Sequence, residues 1–308
     1  MRTSEITRGP LLLGVAFLAF LSCAARERTF DGERAYQHLL RQVEMGPRVP
    51  GTEGHRRTLQ YLLDHLEKTA DRVSTHRFQE ISALDSSAVE YTSAIGVFNE
   101  KASRRILFGA HWDTRPFADR DPDPAKRKSP VPGANDGGSG VAVLLEVASA
   151  LKALSPRIGV DLVFFDGEDS GVEGRSETYS RGSRRFVEDN PEYRPAFAVI
   201  LDMVGRKETR IPKEGNSVAL AAPLVESVWA IAKRSGVTVL LDSVGPAVMD
   251  DHIPFLAAGI PAVDLIDLSD PAWHTTFDLP ESCGTEPLAE LGTLVLSLVR
   301  AAEEEGSP

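Results

Sequence analysis

Three short apolar runs end in ionisable side chains. These side chains are, in chain order, His111, Asp113, Asp166, Glu168, Asp169 and Asp202. The runs before them are nearly continuous in Val, Ile, Leu and Phe, which predicts strands buried on both faces. Because the carboxyl ends of parallel strands share one edge of an open sheet, we expect these side chains to converge there.

So many carboxylates at one edge require a cation, because like charges in a medium of low dielectric repel and raise each other's pKa. Two further segments supply candidate ligands. The glycine-rich loop 132–140 contains Asp136, and the segment 272–275 contains His274 beside Trp273. Imidazoles and carboxylates without thiolates suit Zn²⁺ in an open catalytic site. The sequence therefore predicts a catalytic zinc site.

Two of these segments also have a purely structural interpretation. An Asp shortly before a helix is commonly its N-cap, and Asp136 stands three residues before a predicted helix. In the segment DDHIPF, Asp250 or Asp251 could likewise cap a helix that accepts Pro254 in its first turn. The sequence leaves the role of His252 in that segment open.

Helical and strand patterns alternate along the chain. Apolar spacing predicts helices over 34–45, 57–70, 139–154, 224–234 and 287–303. Buried strands are predicted at 106–110, 160–165, 196–201, 237–241 and 262–266. This alternation predicts a single α/β domain over residues 31–305, with a mostly parallel, doubly wound central sheet flanked by helices.

The N-terminal residues predict export. Arg2 and Arg8 precede an apolar run over 10–21 that is too short to span a membrane. The following residues, FLSCAA, resemble a bacterial lipobox with Cys23 as the lipidated residue, and an ordinary cleaved signal peptide is the alternative. We expect residues 1–22 to be removed and the domain to lie in the bacterial periplasm or at the outer membrane, anchored through Cys23.

Composition excludes some functions. The 308 residues include 45 Asp and Glu against 34 Lys and Arg, with a net charge of -11 and no basic block, so nucleic acid is not an expected partner. Only Cys23 and Cys283 are present, and no internal disulfide is expected once Cys23 carries lipid. The sequence carries no signal of the oligomeric state.

Five motifs occur in a characteristic order. They are HWD at 111–113, GANDGGSG at 133–140, FFDGED at 164–169, LDMVG at 201–205 and WHT at 273–275. The chain from about residue 31 to 303 resembles the superfamily of zinc-dependent aminopeptidases with co-catalytic metals. The resemblance implies the fold of that superfamily and a reaction at the N-terminus of a peptide or protein.

The resemblance also assigns roles. It implies that the catalytic zinc is held by Asp136, Asp169 and His274. A second metal position sharing Asp136 would be completed by His111 and Asp202.

Two neighbours of these residues receive roles by the same resemblance. Glu168 would be the general acid and base, and Asp113 would orient His111.

Within the superfamily, DDHIPF, WHT and the GSR at 182–184 are similar to the animal-type glutaminyl cyclases. These enzymes bind one zinc ion and convert an N-terminal glutamine into pyroglutamate with release of ammonia. The similarity implies that Asp250 hydrogen-bonds Asp202 and Glu168, and that Trp273 forms part of the substrate pocket wall.

The sequence departs from the animal cyclases in the pocket. The segment 170–174 lacks the Trp found there in animal cyclases, and Met249 stands where a Gln is familiar. The segment 115–132 resembles an inserted rim loop of bacterial relatives, and it is either a solvated loop or a contact for substrate.

Two activities fit the same residues. In a cyclase, the substrate's own amine attacks its side-chain carboxamide; in an aminopeptidase, Glu168 activates a water between two zinc ions. A non-catalytic module that retains the fold is a third class, and it is disfavoured because none of the candidate residues is missing. We expect a glutaminyl cyclase with one zinc ion and a second position open, with the di-zinc aminopeptidase as the alternative.

Overall fold

The computed structural model describes residues 30–305. The predicted signal peptide, residues 1–22, and Cys23 lie outside the described residues. The predicted catalytic domain, residues 31–305, falls within them, and it forms one α/β unit.

A mixed six-stranded sheet forms the centre. The strands of the described chain are β1 (Arg72–Ile81), β2 (Ala88–Phe98), β3 (Arg105–His111), β4 (Gly159–Phe165), β5 (Ala198–Asp202), β6 (Ile211–Lys213), β7 (Leu240–Val244) and β8 (Ala262–Ile266). The central order is β1-β2-β4-β3-β5-β8. The neighbouring strands β4, β3, β5 and β8 pair in parallel. Strand β2 runs antiparallel to both of its neighbours, β1 and β4. The predicted mostly parallel sheet is confirmed.

Helices cover both faces of this sheet. They are α1 (Gly32–Glu44), α2 (Glu53–Thr69), α3 (Ser139–Leu154), α4 (Arg181–Asp189), α5 (Gly215–Arg234), α6 (Ile253–Ala257) and α7 (Thr285–Glu305). The larger core lies where α3 packs with α1, α2 and α7 on one face. The opposite face has a smaller core around Phe165, Phe186 and Phe255, under α4 and α6. The predicted doubly wound arrangement is therefore confirmed.

The predicted central strand at 237–241 is wrong. Val237 and Val239 are buried in the larger core, but the strand itself is β7, whose residues are mostly exposed. It pairs in parallel with β6 in a separate two-stranded sheet. Residues 237–239 are apolar because the segment before β7 packs into the core. An apolar run was therefore not sufficient evidence for a strand of the central sheet.

Helix α5 is longer than predicted. It begins at Gly215, and its backbone is irregular at Ala221, two residues before Pro223, so the prediction captured only its second half. Among the described residues it is the one helix long and apolar enough to cross a membrane. Its side chains Val228 and Trp229 are buried in the domain core, which explains this composition.

Candidate active site

The candidate residues meet at the carboxyl edge of the parallel strands. His111 and Asp202 are the last residues of β3 and β5, Asp169 follows β4, and His274 follows β8. Because β3 pairs with both β4 and β5, the ends of these three strands stand side by side. The candidate side chains therefore lie together at one edge of the sheet, as the sequence predicts.

Asp136 reaches this edge through the glycine-rich loop before α3. Gly137 has a φ of +75°, and a Cβ there would lie 2.4 Å from the Asp113 carbonyl oxygen and 2.9 Å from Cε1 of His111. Only glycine allows the loop to cross the imidazole so closely. The N-cap of α3 is Gly138, without a side-chain cap, so the N-cap interpretation of Asp136 is wrong.

Asp136, Asp169 and His274 form one group of candidate metal ligands. One ligand atom from each lies within 4.8 Å of the others. Nε2 of His274 is 3.3 Å from Oδ1 of Asp169 and 3.7 Å from Oδ2 of Asp136. All three side chains are buried at the base of a cavity.

His111, Asp136 and Asp202 form a second group that shares Asp136. Nε2 of His111 lies 3.2 Å from Oδ1 of Asp136 and 3.1 Å from Oδ1 of Asp202. The shared carboxylate is the arrangement expected for two adjacent metal positions. The structure therefore brings together both groups of candidate ligands that the family resemblance implies.

The donor atoms of the first group fit a metal ion. Oδ2 of Asp136 and Oδ2 of Asp169 are buried and have no hydrogen-bond partner. Buried carboxylate oxygens without partners are costly unless a cation or water satisfies them. Two carboxylates and one imidazole are a donor set suited to zinc with an open coordination position.

Asp113 supports both sides of the centre. Its carboxylate accepts the backbone N–H groups of Glu168 at 3.0 Å and Asp169 at 3.1 Å. Its Oδ1 also lies 3.6 Å from Nδ1 of His111. Asp113 therefore connects the end of β3 to the acidic loop after β4.

The loop that contains Asp136 is held from two directions. Asp278 accepts the backbone N–H groups of Asn135 at 2.8 Å and Asp136 at 3.0 Å. Arg48 is fully buried and donates to the carbonyl oxygens of Trp112, Pro132, Gly133 and Asp136. These contacts fix the backbone on which the shared carboxylate depends.

The electrostatics of the carboxyl groups differ from those in water. Burial raises the pKa of Glu168 well above its usual range, and the nearby Asp250 carboxylate raises it further, against the opposing effect of His111. Burial likewise raises the pKa of Asp202 to about 7. Perturbed carboxyl groups clustered in a cleft are typical of an active site.

The pKa values of the two imidazoles are raised by the neighbouring carboxylates, against the effect of burial. Burial alone would lower the pKa of His274, but Asp169 and Asp119 raise it to about 9. Burial would also lower the pKa of His111, which Asp202 and its other carboxylate neighbours hold well above the usual value. Carboxylates thus dominate the potential, and the site attracts cations.

A cavity of about 420 Å³ opens above these residues. Trp273 lines it, and the guanidinium of Arg120 stacks 4.1 Å from the centre of the Trp273 ring. Tyr179 provides a second aromatic wall, and the half-exposed Met249 lines the cavity as well. The pocket therefore has aromatic walls although the segment 170–174 contains no Trp.

The segment DDHIPF borders the same cavity. Asp250 lines the cavity together with Glu168 and Asp202. Its Oδ1 accepts the Asp251 N–H and its Oδ2 has no hydrogen-bond partner, so the expected hydrogen bonds to Asp202 and Glu168 are not formed among the described residues. Asp251 accepts a hydrogen bond from Ser183 Oγ at 2.6 Å, and neither Asp caps α6, whose N-cap is His252. The capping interpretation of this segment is wrong, although Pro254 does lie in the first turn as predicted.

His252 belongs to a buried group next to Asp250. Its Nε2 lies 3.1 Å from Oε2 of Glu214, and its Nδ1 lies 3.5 Å from Oδ2 of Asp264. Glu214 accepts hydrogen bonds from the first turn of α5 and from the Val248 N–H. Glu214 thereby holds Val248, which lines the cavity. His252, Glu214 and Asp264 lie outside the predicted site.

Several supporting residues escaped the sequence analysis. They are Arg48, Asp119, Glu214, Asp264 and Asp278. Asp278 offered a weak signal because it follows the WHT motif closely, and Asp264 stands inside an apolar strand where a carboxyl group is unusual. Arg48 carries no such signal, because its side-chain partners lie 64 to 88 positions away. Glu214 carries none for its contacts with Val248 and His252, which are also distant in the chain.

Comparison with known proteins places the chain in a family. A profile of peptidase family M28 matches residues 94–299. The structure of Tannerella forsythia glutaminyl cyclase is 37% identical, with a TM-score of 0.84 over 88% of this chain and 98% of that chain. A Zn-dependent exopeptidase from Parabacteroides distasonis is 35% identical, with a TM-score of 0.84 over 89% of this chain and 99% of that chain.

The similarity extends to curated sequences. The glutaminyl-peptide cyclotransferase-like protein of Mus musculus is 26% identical over 282 residues, covering 80% of this chain and 70% of that protein. The chain belongs to peptidase family M28. The resemblance to zinc-dependent aminopeptidases and glutaminyl cyclases, predicted from the motifs, is thereby confirmed.

Proposed function

We propose that the protein is a zinc-dependent glutaminyl-peptide cyclotransferase. It converts the N-terminal glutamine of a peptide or protein into pyroglutamate and releases ammonia. The observation that carries this proposal is the grouping of Glu168, Asp202 and Asp250 around one cavity beside the candidate metal ligands. The similarity to glutaminyl cyclases over most of the chain supports it.

Asp136, Asp169 and His274 would hold the zinc ion. When bound, zinc supplies Lewis-acid polarisation of the substrate's γ-carboxamide oxygen. We assign one ion to this group, while His111 and Asp202 complete a position that a second ion would use. In the cyclase, Asp202 remains a partner of His111, at 3.1 Å.

Glu168 would carry the proton. The α-amine nitrogen of the substrate forms the new bond to the γ-carbonyl carbon, and Glu168 takes a proton from that nitrogen. It then delivers the proton to the amide nitrogen, whose bond to the same carbon breaks, so that ammonia leaves. A carboxyl group with a raised pKa exchanges protons at neutral pH, as this shuttle requires.

Trp273 and Tyr179 would orient the substrate. Their rings line the cavity above the candidate ligands. A confined pocket brings the amine and the carboxamide of one glutamine together, which lowers the entropic part of the barrier.

The second candidate is a di-zinc aminopeptidase. The group formed by His111, Asp136 and Asp202 favours it, because these buried side chains offer ligand atoms within 4.8 Å of one another. In that enzyme, Glu168 would activate a water molecule for attack on the first peptide bond.

A substrate panel separates the two candidates. The purified protein is incubated with a glutamine-initiated and a leucine-initiated peptide of otherwise identical sequence, with and without a chelator. We expect ammonia release from the first peptide only, abolished by the chelator and restored by zinc. Release of free leucine without ammonia from the first peptide would replace the cyclase with the aminopeptidase.

We also propose that the protein is exported and anchored by lipid at Cys23, supported by the N-terminal charge and the apolar run over 10–21. Fractionation of cells that express the full chain tests this. The parent should partition with membranes and a Cys23→Ser variant with the soluble fraction. Equal partitioning of the two proteins would exclude the anchor.

A further inference from the structure

The rim loop, residues 115–132, contacts the centre from outside the sheet. Oδ1 of Asp119 lies 3.5 Å from Nδ1 of His274, whose other ring nitrogen faces Asp169 at 3.3 Å. The imidazole therefore lies between a rim-loop carboxylate and the candidate zinc ligands. Asp119 itself is partly exposed at the outer side of this arrangement.

Arg115 joins two carboxylates of the site. Its side chain is buried, and both Nε and Nη2 donate to the carboxylate of Asp119. Its Nη1 lies 3.3 Å from the carbonyl oxygen and 3.4 Å from Oδ1 of Asp169. One guanidinium thus connects the partner of His274 to another candidate ligand.

The rim loop also holds the backbone around His274. The Arg120 N–H donates to the carbonyl oxygen of His274 at 3.1 Å. Oδ2 of Asp121 accepts hydrogen bonds from Thr276 N at 2.9 Å and Thr276 Oγ1 at 2.6 Å. His274 has a φ of +58°, a left-handed conformation that is unfavourable for a non-glycine residue. These contacts help to hold that conformation.

We propose that Arg115 and Asp119 are positioning residues for the zinc site. Asp119 accepts the Nδ1 proton of His274 and so leaves the Nε2 lone pair for the metal, while Arg115 fixes Asp119 relative to Asp169. Carboxylates that orient metal-binding imidazoles raise metal affinity in this way. The proposal rests on the zinc site of the proposed function.

The proposal gives the rim loop a role different from both earlier interpretations. Residues 122–128 of the loop are exposed, whereas Arg115 and Arg120 line the cavity and Asp119 lies beside His274. The loop supplies the support for His274 that the sheet does not, because His274 lies eight residues beyond the end of β8 at Ile266. Metal affinity then depends on a segment outside the central fold.

The test measures zinc binding rather than turnover. Zinc affinity is determined by competition with a chelator for the parent, Asp119→Ala, Asp119→Asn and Arg115→Lys. We expect Asp119→Ala to weaken zinc binding by roughly 10- to 100-fold. Asp119→Asn should give a smaller loss, because the amide oxygen still accepts the Nδ1 proton but no longer pairs with Arg115. Arg115→Lys should also weaken binding, because a single ammonium cannot bridge both carboxylates.

A matched control lies in the same loop. Oδ1 of Asp123 accepts a hydrogen bond from Ala125 N–H within the loop. Asp123→Asn should therefore bind zinc as the parent does. The visible absorption of the cobalt-substituted proteins gives a second readout, and it should change in Asp119→Ala but not in Asp123→Asn.

The outcomes separate this proposal from the proposed zinc site. If Asp169→Asn keeps the parent's zinc affinity, the zinc site itself is wrong. If Asp169→Asn loses zinc while Asp119→Ala and Asp119→Asn keep both the affinity and the cobalt spectrum, only the positioning role is wrong. Melting of the zinc-free proteins checks the fold. If Asp119→Ala is unfolded, Asp119→Asn and Arg115→Lys decide the question, and parent-like affinity in both overturns the proposal.

Discussion

Glu168 combines a fixed backbone with a perturbed side chain. Its N–H is held by Asp113, while its Oε1 accepts a hydrogen bond from Ser180 Oγ at 3.3 Å. The pKa of its carboxyl group is raised mainly by burial and then by Asp250. A residue so placed can exchange protons without changing position.

Glu168→Gln should separate proton transfer from metal binding. The amide keeps the size of the side chain but carries no exchangeable acid proton, so kcat should fall by roughly 100-fold or more. Zinc content, measured by elemental analysis, should equal that of the parent. His274→Ala serves as the opposite control and should lose the metal. Full activity of Glu168→Gln would contradict the proton shuttle.

At the scale of residues, motif positions could be predicted and supporting residues could not. Asp136, Asp169 and His274 were found because each carries a chemically unusual side chain in a recognisable local context. Arg48 acts through carbonyl oxygens 64 to 88 positions away, and Asp119 lies beside His274 in a distant segment. Such contacts leave no local pattern in one sequence. Their roles depend on the folded geometry.

At the scale of elements, the glycine-rich loop depends on Arg48. The guanidinium, on the connection between α1 and α2, reaches four carbonyl oxygens around that loop. Burial lowers the pKa of Arg48 to about 10, so the group remains charged at neutral pH. It is a permanent cation next to the carboxylates of the centre.

Arg48→Met should therefore destabilise the fold. The loss of charged hydrogen bonds and of a buried counter-charge should lower the free energy of unfolding by about 3 kcal/mol or more. Denaturant titration measures this change. Arg56→Met is the matched control, because Arg56 is exposed and pairs with Glu53 on the surface, so its loss should cost about 0.5 kcal/mol or less. Equal stability of the two variants would contradict the role of Arg48.

The same scale explains which elements were predictable. Strands β3, β4, β5 and β8 were found because burial on both faces makes them nearly continuously apolar, with Asp161 in β4 and Asp264 in β8 as exceptions. Strand β1 was missed because it lies at the edge of the sheet, is mostly polar and buries only Phe78. Strand β2 is largely buried, but Glu90, Thr92 and Ser93 interrupt its apolar residues, so no continuous apolar run marks it. Such strands form because of the strands with which they pair, and a partner such as β4 is distant from β2 in the sequence.

At the scale of the whole molecule, metal binding and stability are linked. A ligand that binds only the native state stabilises it by about 4 kcal/mol at 1,000 times its dissociation constant. Removal of zinc should therefore lower the melting temperature by roughly 10 °C for a domain of this size. Calorimetry with and without chelator tests this expectation, and an unchanged melting temperature would contradict tight zinc binding.

Acid should destabilise the molecule through His38. Burial, with smaller effects of His65 and Arg34, lowers the pKa of His38 to about 3, so the folded state holds it neutral. The unfolded chain binds the extra proton below about pH 6.5, and stability therefore falls as pH drops from 6.5 towards 3.

The substitution His38→Gln removes the contribution of His38 to the pH dependence of stability. Between pH 7 and pH 5, the parent should lose about 2 kcal/mol more stability than the variant. Urea titrations of both proteins at the two pH values measure the difference. The same pH dependence in parent and variant would show that His38 protonates freely in the folded state.

The candidate ligands are drawn from β3, the loop before α3, the segment after β4, the end of β5 and the segment after β8. No short stretch of the polypeptide holds the complete set, so a growing chain possesses no zinc-binding centre until its last third has been made. Metal loading must consequently follow assembly of the sheet. We expect zinc to accelerate only the last stage of refolding, after the parallel strands have paired.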